Sequence, residues 1–569
     1  MTQHYDVAII GGGPAGSTAA ALLKKYDPEI SVLILEREKF PRDHVGESQL
    51  PPIGAILHEM GCWEEVESAG FPIKIGVTYR WGKTEQLWDF DFVPADKFVD
   101  APRPAPYAGQ RLRTALQVDR AIYDEILLNH AEKLGAEVRQ EVAVKKILSQ
   151  DGRVEAFELS DSSSITADWF IDASGHSGIM RRALGIDVHY PGSLKNIAIW
   201  DYWENATWAD EIGVGGTRVQ VLSQPAGWIW FIPLGPTRTS IGLITPVEHY
   251  KSSGLSHEQL YRDALAGDER VSGLIEGATS REIIETTTDW SFLAEKTYGE
   301  NWFLIGEAAG FADPILAAGM TLAHGSAREC AYSILELRKK EHDAQWLKST
   351  FDQNQRGRIR QHIRFADFWY ASNGQFSDLQ EHCRSIAEDA GLELTTEQAW
   401  QWISQGGFSS DVPGQAVVAG FVDLASAKRF TGMFTGGELD WSTDKKNVFK
   451  LDTEGAAIET IPTYRDGKIT PVQCLIRNKK KLPLTGINQL LYGALQKSPY
   501  IDDVFKMIAA TLEAQKVPAA SRSTYFSYVI QALESMVAAG WVKASLDESR
   551  ARLDVGSAAN SKHIFYRNE

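Results

Sequence analysis

The chain begins with two uninterrupted apolar segments separated by a glycine turn. Residues 7–10 and 32–35 are entirely apolar, which is typical of strands buried on both faces of a parallel sheet. Between them, the turn GGGPAG leads into the small-residue segment 15–23, which predicts a helix. The pattern therefore predicts a βαβ unit at the N terminus.

A further apolar segment, GWIWFIPLG at residues 227–235, predicts a strand whose two faces differ. Trp228 and Trp230 would share one face, and Ile229 and Phe231 the other. Packing alone is the simplest explanation of the paired tryptophans, because aromatic side chains are favoured in strands and fill cores. Other parts of the sequence must decide whether the tryptophan face also has a function.

The C-terminal part of the chain has helical spacing. Aromatic-rich segments predict a helical extension at 336–445, followed by a short β segment. From residue 484, three predicted helices lead into a strand, an order that resembles a winged-helix module and gives a predicted division at 446–569. The third of these helices carries one arginine and no lysine, so packing or partner recognition is favoured over DNA binding.

Composition narrows the classes of function. The chain has 569 residues and a net charge of −17, which argues against a general nucleic-acid partner. The chain has four cysteines, which are Cys62, Cys330, Cys383 and Cys474. They are too far apart in sequence to form a metal-binding motif, so we expect reduced thiols and no bound metal. The sequence lacks a signal-peptide pattern and an apolar stretch of about 18 residues, which predicts no membrane span and a cytoplasmic location.

The N-terminal turn has the composition of a dinucleotide site. Gly11, Gly13 and Gly16 permit a tight turn and close approach of the backbone to a pyrophosphate, and the following helix offers free N–H groups. Glu36 ends the second strand, where a carboxylate accepts hydrogen bonds from ribose hydroxyls. A glycine turn without a ligand is the alternative, but the βαβ context favours binding.

Two later stretches indicate which dinucleotide is bound. One places Asp172 after an apolar strand, and the other places Gly306 and Glu307 after another, followed by Asp313 and a helix opening near Gly319. These turns, in this order, resemble the FAD-containing aromatic hydroxylase and halogenase superfamily. The resemblance implies FAD as the cofactor, although Glu307 stands where the superfamily usually has aspartate.

The same resemblance implies that the start of the predicted helix in LQVDRAIYDEILLNHAEKLGAEV lies near the cofactor. Gln117 and Arg120 are the residues concerned. A solvated charge at a helix end is an equally good interpretation of Arg120 from the sequence alone.

Within this superfamily, the chain is most similar to the flavin-dependent halogenases, in the branch that acts on phenolic, pyrrolic or carrier-tethered substrates. The similarity covers roughly residues 1–335 and rests on four stretches: FPRDHVGESQLP, FPIKIGVTYRWG with Lys74, the W-x-W-x-I-P signature at Trp228 and Trp230, and TTTDWSFLAEK with Asp289. It implies an α/β fold, in which a Rossmann-like FAD-binding GxGxxG core (1–335) carries an inserted mixed β-sheet substrate domain, with strands within about 71–110 and 190–290.

The resemblance also implies a chemistry. Reduced FAD and oxygen would oxidise halide to hypohalous acid, which would pass between Trp228 and Trp230 to Lys74 beside the substrate. Apolar neighbours should desolvate Lys74 and lower its pKa, whereas the alternative is an exposed strand lysine. The resemblance further assigns cofactor contacts; these are Arg120, Asp172, Asp289, Gly306, Glu307 and Asp313.

The halide site is where the chain departs most from the family. Ala318 and Gly319 would form it, but the family usually has a hydroxyl residue where Ala318 stands. Backbone N–H groups at a helix start can bind an anion unaided. Loss of one hydroxyl donor would weaken the site by about 1 kcal/mol.

The predicted partners follow from this chemistry. We expect a separate flavin reductase to supply reduced FAD transiently, because no second GxGxxG is evident, and a substrate that is a small molecule or is tethered to a carrier or peptide. One alternative is an FAD-dependent monooxygenase that hydroxylates a small molecule, peptide or protein. Another is a flavin-bearing binding or scaffold protein in which the C-terminal module does the work.

Overall fold

The apolar segments near the N terminus form strands, as expected, in the computed structural model. The structure describes residues 2–81, 86–99, 101–191, 194–211, 215–288, 290–373, 424–425, 428–429, 440–478, 480–560 and 564–567. The chain divides into two compact units. The first comprises Met1–Asp367, Tyr464–Ile469 and Phe565–Glu569, and the second comprises Phe368–Thr463 and Thr470–Ile564.

The strands of the two units are numbered in chain order. They are β1 (Thr2–Ile10), β2 (Val32–Leu35), β3 (Ile73–Arg80), β4 (Trp88–Asp91), β5 (Ala115–Leu116), β6 (Glu137–Arg139), β7 (Val144–Gln150), β8 (Arg153–Leu159), β9 (Ser164–Asp172), β10 (Val188–His189), β11 (Asn196–Glu204), β12 (Gly216–Gln224), β13 (Gly227–Pro233), β14 (Arg238–Pro246), β15 (Thr279–Ser280), β16 (Glu285–Thr288), β17 (Phe292–Ala294), β18 (Trp302–Leu304), β19 (Gly310–Phe311), β20 (Val448–Leu451), β21 (Ala457–Arg465), β22 (Lys468–Arg477), β23 (Lys480–Pro483), β24 (Val542–Ser545) and β25 (Ile564–Tyr566).

The helices are numbered in the same way. They are α1 (Pro14–Tyr26), α2 (Pro52–Met60), α3 (Trp63–Ser68), α4 (Arg120–Lys133), α5 (Ile179–Ala183), α6 (Val247–Ser253), α7 (His257–Ala266), α8 (Glu269–Leu274), α9 (Gly319–Lys339), α10 (Ala344–Asn373), α11 (Gly486–Leu495), α12 (Ile501–Ala514), α13 (Ala519–Ala538) and α14 (Gly556–Ala559).

The first sheet contains the predicted βαβ unit. Its strand order is β6-β2-β1-β9-β8-β7, with β18 also paired to β9, and β1 runs parallel to both β2 and β9. Val7, Ile9 and Ile34 are fully buried beneath α1, whose small residues allow the helix to lie close to the sheet. The carboxyl ends of β1 and β9 therefore meet at the glycine turn, where ligands of such sheets bind.

The second sheet of the first unit is mixed and has ten strands. Its order is β15-β11-β14-β13-β12-β3-β4-β25, with β16 paired to β11 and β5 paired to β3. Most of its strands lie in the predicted ranges, but β25 comes from the C terminus, which the sequence did not predict. Helices α7 and α8 contribute Leu260, Tyr261 and Val271 to the apolar core on one face of this sheet.

A bulge in β3 decides which face of this sheet carries Lys74. Thr217 of β12 pairs with Lys74, but the next residue, Arg218, pairs with Gly76, so Ile75 is an extra residue in β3. The side-chain alternation of β3 is therefore inverted after the bulge. Lys74 consequently lies on the opposite face from Gly76 and the residues that follow it in the same alternation.

The second unit contains the C-terminal elements. Helices α11, α12 and α13 lead into β24, as predicted, and β24 pairs antiparallel with β20. Leu533, Met536 and Trp541 are fully buried in its apolar core. Much of the predicted extension at 336–445 lies outside the described residues, and the winged-helix comparison stays a prediction.

Candidate active site

The three glycines of the N-terminal turn have different surroundings. An added Cβ at Gly16 would lie 1.9 Å from the carbonyl oxygen of Gly11, and one at Gly11, whose φ is +102°, would lie 2.4 Å from the carbonyl oxygen of Ala173. These two glycines are required by packing within the protein. At Gly13 the nearest atom to an added Cβ is Nη2 of Arg42, at 3.6 Å. The fold thus leaves the space over Gly13 for a ligand, which fits a pyrophosphate at the start of α1.

The two predicted carboxylates beside this turn both hold loops in place. Glu36 accepts hydrogen bonds from the backbone N–H groups of Gly12 at 2.8 Å and Glu38 at 2.9 Å. Asp172 accepts from the N–H of Ser174 at 3.0 Å and from that of Met180 at 2.8 Å. Both lie at the carboxyl ends of their strands, as predicted, while their contacts to a cofactor stay predictions.

Arg120 is buried, so its interpretation as a solvated charge at a helix end is wrong. Its guanidinium donates to both carboxylate oxygens of Asp124, at 2.7 and 2.8 Å, and to the carbonyl oxygens of Val45 and Gly46 at 3.1 and 3.2 Å. Burial opposes its charge, but Asp124 holds the pKa of Arg120 above its ordinary value. Arg120 therefore ties α4 to the loop that contains residues 45–48.

Gln117 lies just before α4 and supports the predicted cofactor site. Its side chain is fully buried, and within the described part of the chain neither its amide nitrogen nor its amide oxygen has a hydrogen-bond partner. Unpaired buried amides are costly and call for a partner. A bound FAD fits this requirement.

The loop after β18 brings the remaining predicted cofactor residues together. Ser326 of α9 accepts a hydrogen bond from the N–H of Gly306 at 2.8 Å. Glu307 is near Arg120, and burial raises the pKa of its carboxyl although the charge of Arg120 opposes the shift. Asp313 accepts from the N–H of Ile315 at 2.9 Å and from the indole of Trp290 at 3.3 Å. Asp289, the other predicted contact, lies outside the described residues.

Helix α9 begins at Gly319, as predicted, with Ala318 in the N-cap position. The first N–H groups of any α-helix lack intrahelical acceptors, so they can bind an anion. No hydroxyl stands at residue 318, and the halide assignment of Ala318 and Gly319 stays a prediction.

Lys74 is almost completely buried, at 1% exposure, so its interpretation as an exposed strand lysine is wrong. Its ammonium donates to the hydroxyl of Ser48 at 2.8 Å and to the carbonyl oxygen of Gln49 at 3.0 Å, and it lies 5.5 Å from the ring centre of Phe92. All three partners are uncharged. As predicted, burial lowers the pKa of Lys74, to about 7.

Trp228 and Trp230 pack side by side on the face of the ten-stranded sheet that also carries Lys74. Their ring centres are 6.1 Å apart, and that of Trp200, which the sequence analysis missed, is 6.4 Å from Trp230. The Trp230 indole donates to the hydroxyl of Ser240 at 3.0 Å. An added Cβ at Gly242 would be 2.1 Å from the Trp230 ring, so the absence of a side chain there makes room for the indole.

A buried carboxyl adjoins this site, that of Glu47 in the stretch FPRDHVGESQLP, for which the resemblance implied no role. Glu47 accepts from the hydroxyl of Tyr202 at 2.9 Å and from the N–H of Gly46 at 3.0 Å. Burial raises the pKa of Glu47, and the Tyr202 hydrogen bond opposes that shift. Tyr202 itself lies under two guanidinium groups, with Arg238 at 4.0 Å and Arg281 at 4.8 Å from its ring centre.

One cluster of metal-type ligands occurs among the described residues. Cys62, Glu65 and His130 offer ligand atoms within 4.8 Å of one another. Glu65 accepts from His130 at 2.8 Å and from Lys133 at 2.6 Å, so hydrogen bonds account for the arrangement. Cys62, Cys330 and Cys474 are buried free thiols.

The chain has an α/β fold with mixed sheets and a glycine turn of the dinucleotide-binding type, and comparison with known proteins gives the family. Residues 6–100 and 93–401 match the family described as tryptophan halogenase. The chain belongs to this family. The predicted flavin-dependent halogenase resemblance and its FAD cofactor are thereby confirmed.

Two curated relatives show the extent of the similarity. The chain is 32% identical over 397 residues to the 1H-pyrrole-2-carbonyl-(peptidyl-carrier protein) chlorinase of Pseudomonas fluorescens, covering 66% of this chain and 86% of that protein. It is 32% identical over 342 residues to the tryptophan 2-halogenase of Chondromyces crocatus, covering 59% of this chain. The match spans 62% of the Chondromyces protein's own length, which is less than two thirds.

Two solved structures share the fold. The flavin-dependent halogenase CmlS superposes with a TM-score of 0.70 at 23% identity and covers 97% of this chain and 98% of that one. The myxobacterial chondrochloren halogenase CndH superposes with a TM-score of 0.60 at 25% identity and covers 76% of this chain and 97% of that one.

No helix in the described residues is both long and apolar enough to cross a membrane.

Proposed function

We propose that the chain is a two-component flavin-dependent halogenase that passes hypohalous acid to Lys74 and on to an electron-rich organic substrate. The observation that carries this proposal is a buried lysine on the same sheet face as Trp228 and Trp230, whose contacts within the described ranges include no counter-charge. A strongly perturbed titratable group in such surroundings is a functional candidate.

The N-terminal turn and the loops around it would hold the cofactor. When bound, reduced FAD would supply the two electrons that reduce oxygen to the peroxide level, and that oxidant would convert halide and a proton to hypohalous acid, leaving oxidised FAD and water. Gly13 leaves room for the pyrophosphate, and Glu36 stands at the end of β2 for the ribose. Gln117 and Arg120 would contribute polar groups to the FAD site. The other residues predicted to contact FAD are Gly11, Gly16, Asp172, Asp289, Gly306, Glu307 and Asp313.

The cofactor assignment has its own test at Gly13. Gly13→Val should fold, because its protein neighbours leave space, yet the purified protein should lose the yellow colour of FAD. A folded variant with stoichiometric flavin would overturn the assignment.

Lys74 would hold the electrophilic halogen for the substrate. A neutral amine can accept a hydrogen bond from hypohalous acid or react with it, and a pKa near 7 keeps a large neutral fraction at neutral pH. Trp228, Trp230 and Trp200 form an apolar wall that excludes water, which slows loss of the oxidant. Ala318 and Gly319 would bind the halide through backbone N–H groups.

The substrate would be a small aromatic molecule or one tethered to a carrier. The carrier option is supported by the Pseudomonas relative, whose name specifies a pyrrole held on a peptidyl-carrier protein. The proposed partition is a catalytic core at 1–335, a helical extension at 336–445 that covers the site, and a winged-helix-like module at 446–569 that recognises the partner. A separate reductase would deliver reduced FAD.

Product mass with and without halide tests this function. The purified chain is supplied with chemically reduced FAD, oxygen and chloride or bromide, and with resorcinol, pyrrole-2-carboxylate or a carrier-bound pyrrole-2-carbonyl thioester as probes. A halogenated product that requires halide is expected. Oxidation of FADH2 at the rate seen without enzyme would favour a binding or scaffold protein.

A second candidate function is hydroxylation by the same fold. Ala318 favours it, because the family usually has a hydroxyl residue at this position of the halide site. The same assay distinguishes the two functions: a product that forms without halide and gains one oxygen atom would establish the monooxygenase.

A further inference from the structure

Ser48 is held at its place by backbone contacts on both sides. The N–H of Val118 donates to the carbonyl oxygen of Glu47 at 2.8 Å, and the N–H of Gln49 donates to that of Leu116 at 3.0 Å. Ser48 itself forms an antiparallel bridge with Gln117. The position of its backbone is therefore set by neighbouring strands and does not depend on its hydroxyl.

That hydroxyl is directed at Lys74. Its oxygen lies 2.8 Å from the Lys74 nitrogen, and the serine is 7% exposed. The other hydrogen-bond partner of Lys74 is the carbonyl oxygen of Gln49. A carbonyl oxygen can only accept, so it binds the Lys74 nitrogen only through one of that nitrogen's hydrogens. A hydroxyl both accepts and donates, because its hydrogen rotates. Ser48 can thus bind the ammonium by accepting and the neutral amine by donating.

In the described parts of the chain, the groups that face Lys74 from other elements do not bind its nitrogen in both protonation states as the Ser48 hydroxyl does. Its strand partners are Thr217 of β12 and Ala115 of β5, and Phe92 lies over its nitrogen; none of these titrates between pH 5 and 10. Glu47, next to Ser48, is the titratable neighbour in the loop. Its two oxygens are bonded by Tyr202 and the N–H of Gly46.

We propose that Ser48 is the positioning residue of Lys74, aligning its nitrogen through both protonation states so that the amine meets the halogen and the substrate. This inference rests on the proposed function of Lys74. It assigns a task to Ser48 in the stretch FPRDHVGESQLP, for which the resemblance implied none. This contact matters because, in the part of the chain that the structure describes, no carboxylate contacts the lysine to fix its orientation.

The first experiment compares halogenated product per FADH2 oxidised in three variants. Ser48→Ala should lower this ratio about ten-fold, a typical consequence of losing one hydrogen bond to a charged group. Ser48→Thr keeps the hydroxyl and should return the ratio to within about three-fold of wild type. Ser333→Ala is the matched control, because it removes another buried serine hydroxyl, which donates to the carbonyl oxygen of Glu329 at 2.8 Å within α9, and it should leave the ratio unchanged.

The second readout does not require halogenation. Lysine labelled with ¹³C at the ε position gives a titration curve for Lys74, assigned by the absence of its signal from Lys74→Met. The wild-type midpoint is expected near pH 7, and in Ser48→Ala it should fall, because the ammonium loses an acceptor. Ser48→Thr should restore it.

Two results would overturn the inference. One is an unchanged midpoint in folded Ser48→Ala, because a hydrogen bond to the ammonium is about twice as strong as one to the neutral amine, so losing a real Ser48 contact must lower the pKa of Lys74. The other is a lowered midpoint with an unchanged product ratio, since the contact would then not matter for positioning. If wild type makes no halogenated product, the proposed function fails, while the titration still decides whether Ser48 binds Lys74.

Discussion

Lys74 and Arg218 are buried cations on adjacent strands of one sheet, yet they lie on opposite faces and in opposite surroundings. Lys74 donates to the uncharged oxygens of Ser48 and Gln49. Arg218, immediately after the strand partner of Lys74, donates to both oxygens of Asp91 at 2.7 and 2.9 Å. Asp89 and Asp210 lie 3.6 and 3.5 Å from the same guanidinium.

The pKa values of the two cations move in opposite directions for this reason. Burial lowers the pKa of Lys74 to about 7. Burial also opposes the charge of Arg218, but Asp91 and its neighbours hold the pKa of Arg218 above its ordinary value. A buried cation that is fully paired serves the fold, whereas one without a counter-charge costs stability and persists where the chemistry requires it.

The bulge at Ile75 keeps these two environments apart. Without the extra residue, Lys74 would share a face with Thr78, which donates to Asp89 at 2.7 Å. The lysine would then join the carboxylates and keep its proton at neutral pH. Because of the bulge, Lys74 lies on the face of the sheet that carries the tryptophans. On the opposite face, Arg567 binds Asp89 at 2.9 Å and Asp210 at 2.7 Å.

The largest expected effect comes from breaking the paired face. Arg218→Met removes the guanidinium that lies among Asp89, Asp91 and Asp210, although Arg567 still binds Asp89 and Asp210, and it should lower the free energy of unfolding by about 3–5 kcal/mol in urea titrations. Arg218→Lys keeps the positive charge and should lower the free energy of unfolding by less than Arg218→Met does. Halogenated product per folded molecule should remain near wild type; a stable variant that loses product would show that the paired face belongs to the active site.

The next effect is a pH dependence of stability. Between about pH 7 and 10.5, Lys74 is neutral in the folded protein and protonated when unfolded, so folding releases a proton there. The stability of wild type relative to Lys74→Met should therefore rise with pH across this window, by up to about 1.4 kcal/mol per pH unit, and be flat below pH 7. Urea midpoints of both proteins at pH 6, 8 and 9.5 measure this difference. A constant difference would mean that Lys74 is charged in the folded protein.

A smaller effect is expected from the tryptophan wall. Gly242→Ala places a methyl group where the Trp230 ring lies and should displace the indole, which lowers halogenated product per FADH2 oxidised about ten-fold. Gly235→Ala is the matched control, because nothing lies within 4 Å of its added Cβ. Equal ratios in the two variants would indicate that the wall has no role in guiding the oxidant.

The sequence was sufficient for the parts of the site that depend on local pattern. The glycine turn, Glu36 at the end of β2, the shared face of Trp228 and Trp230, and the start of α9 at Gly319 all follow from periodicity and turn chemistry. These features involve residues close together in the chain or belong to motifs that the chain shares with the family.

The sequence was not sufficient where distant segments meet. Ser48 reaches Lys74 from a loop 26 residues earlier, and Tyr202 reaches Glu47 across 155 residues. Arg567 lies 478 residues from Asp89. The bulge could not be predicted either, because one extra residue does not change the composition of the strand. It nevertheless inverts the side-chain alternation of β3 from Gly76 onward.

The most direct test of the role of Lys74 compares the halogenated product per FADH2 oxidised in Lys74→Met with that of wild type. Both proteins are supplied with chemically reduced FAD and an excess of bromide. The variant keeps the length and apolar character of the stem and removes the amine. It should still consume FADH2 and oxygen, release hypohalite or hydrogen peroxide, and form halogenated product at less than about one hundredth of the wild-type amount per FADH2 oxidised. Product formation near wild type would show that Lys74 is a structural residue and contradict the account.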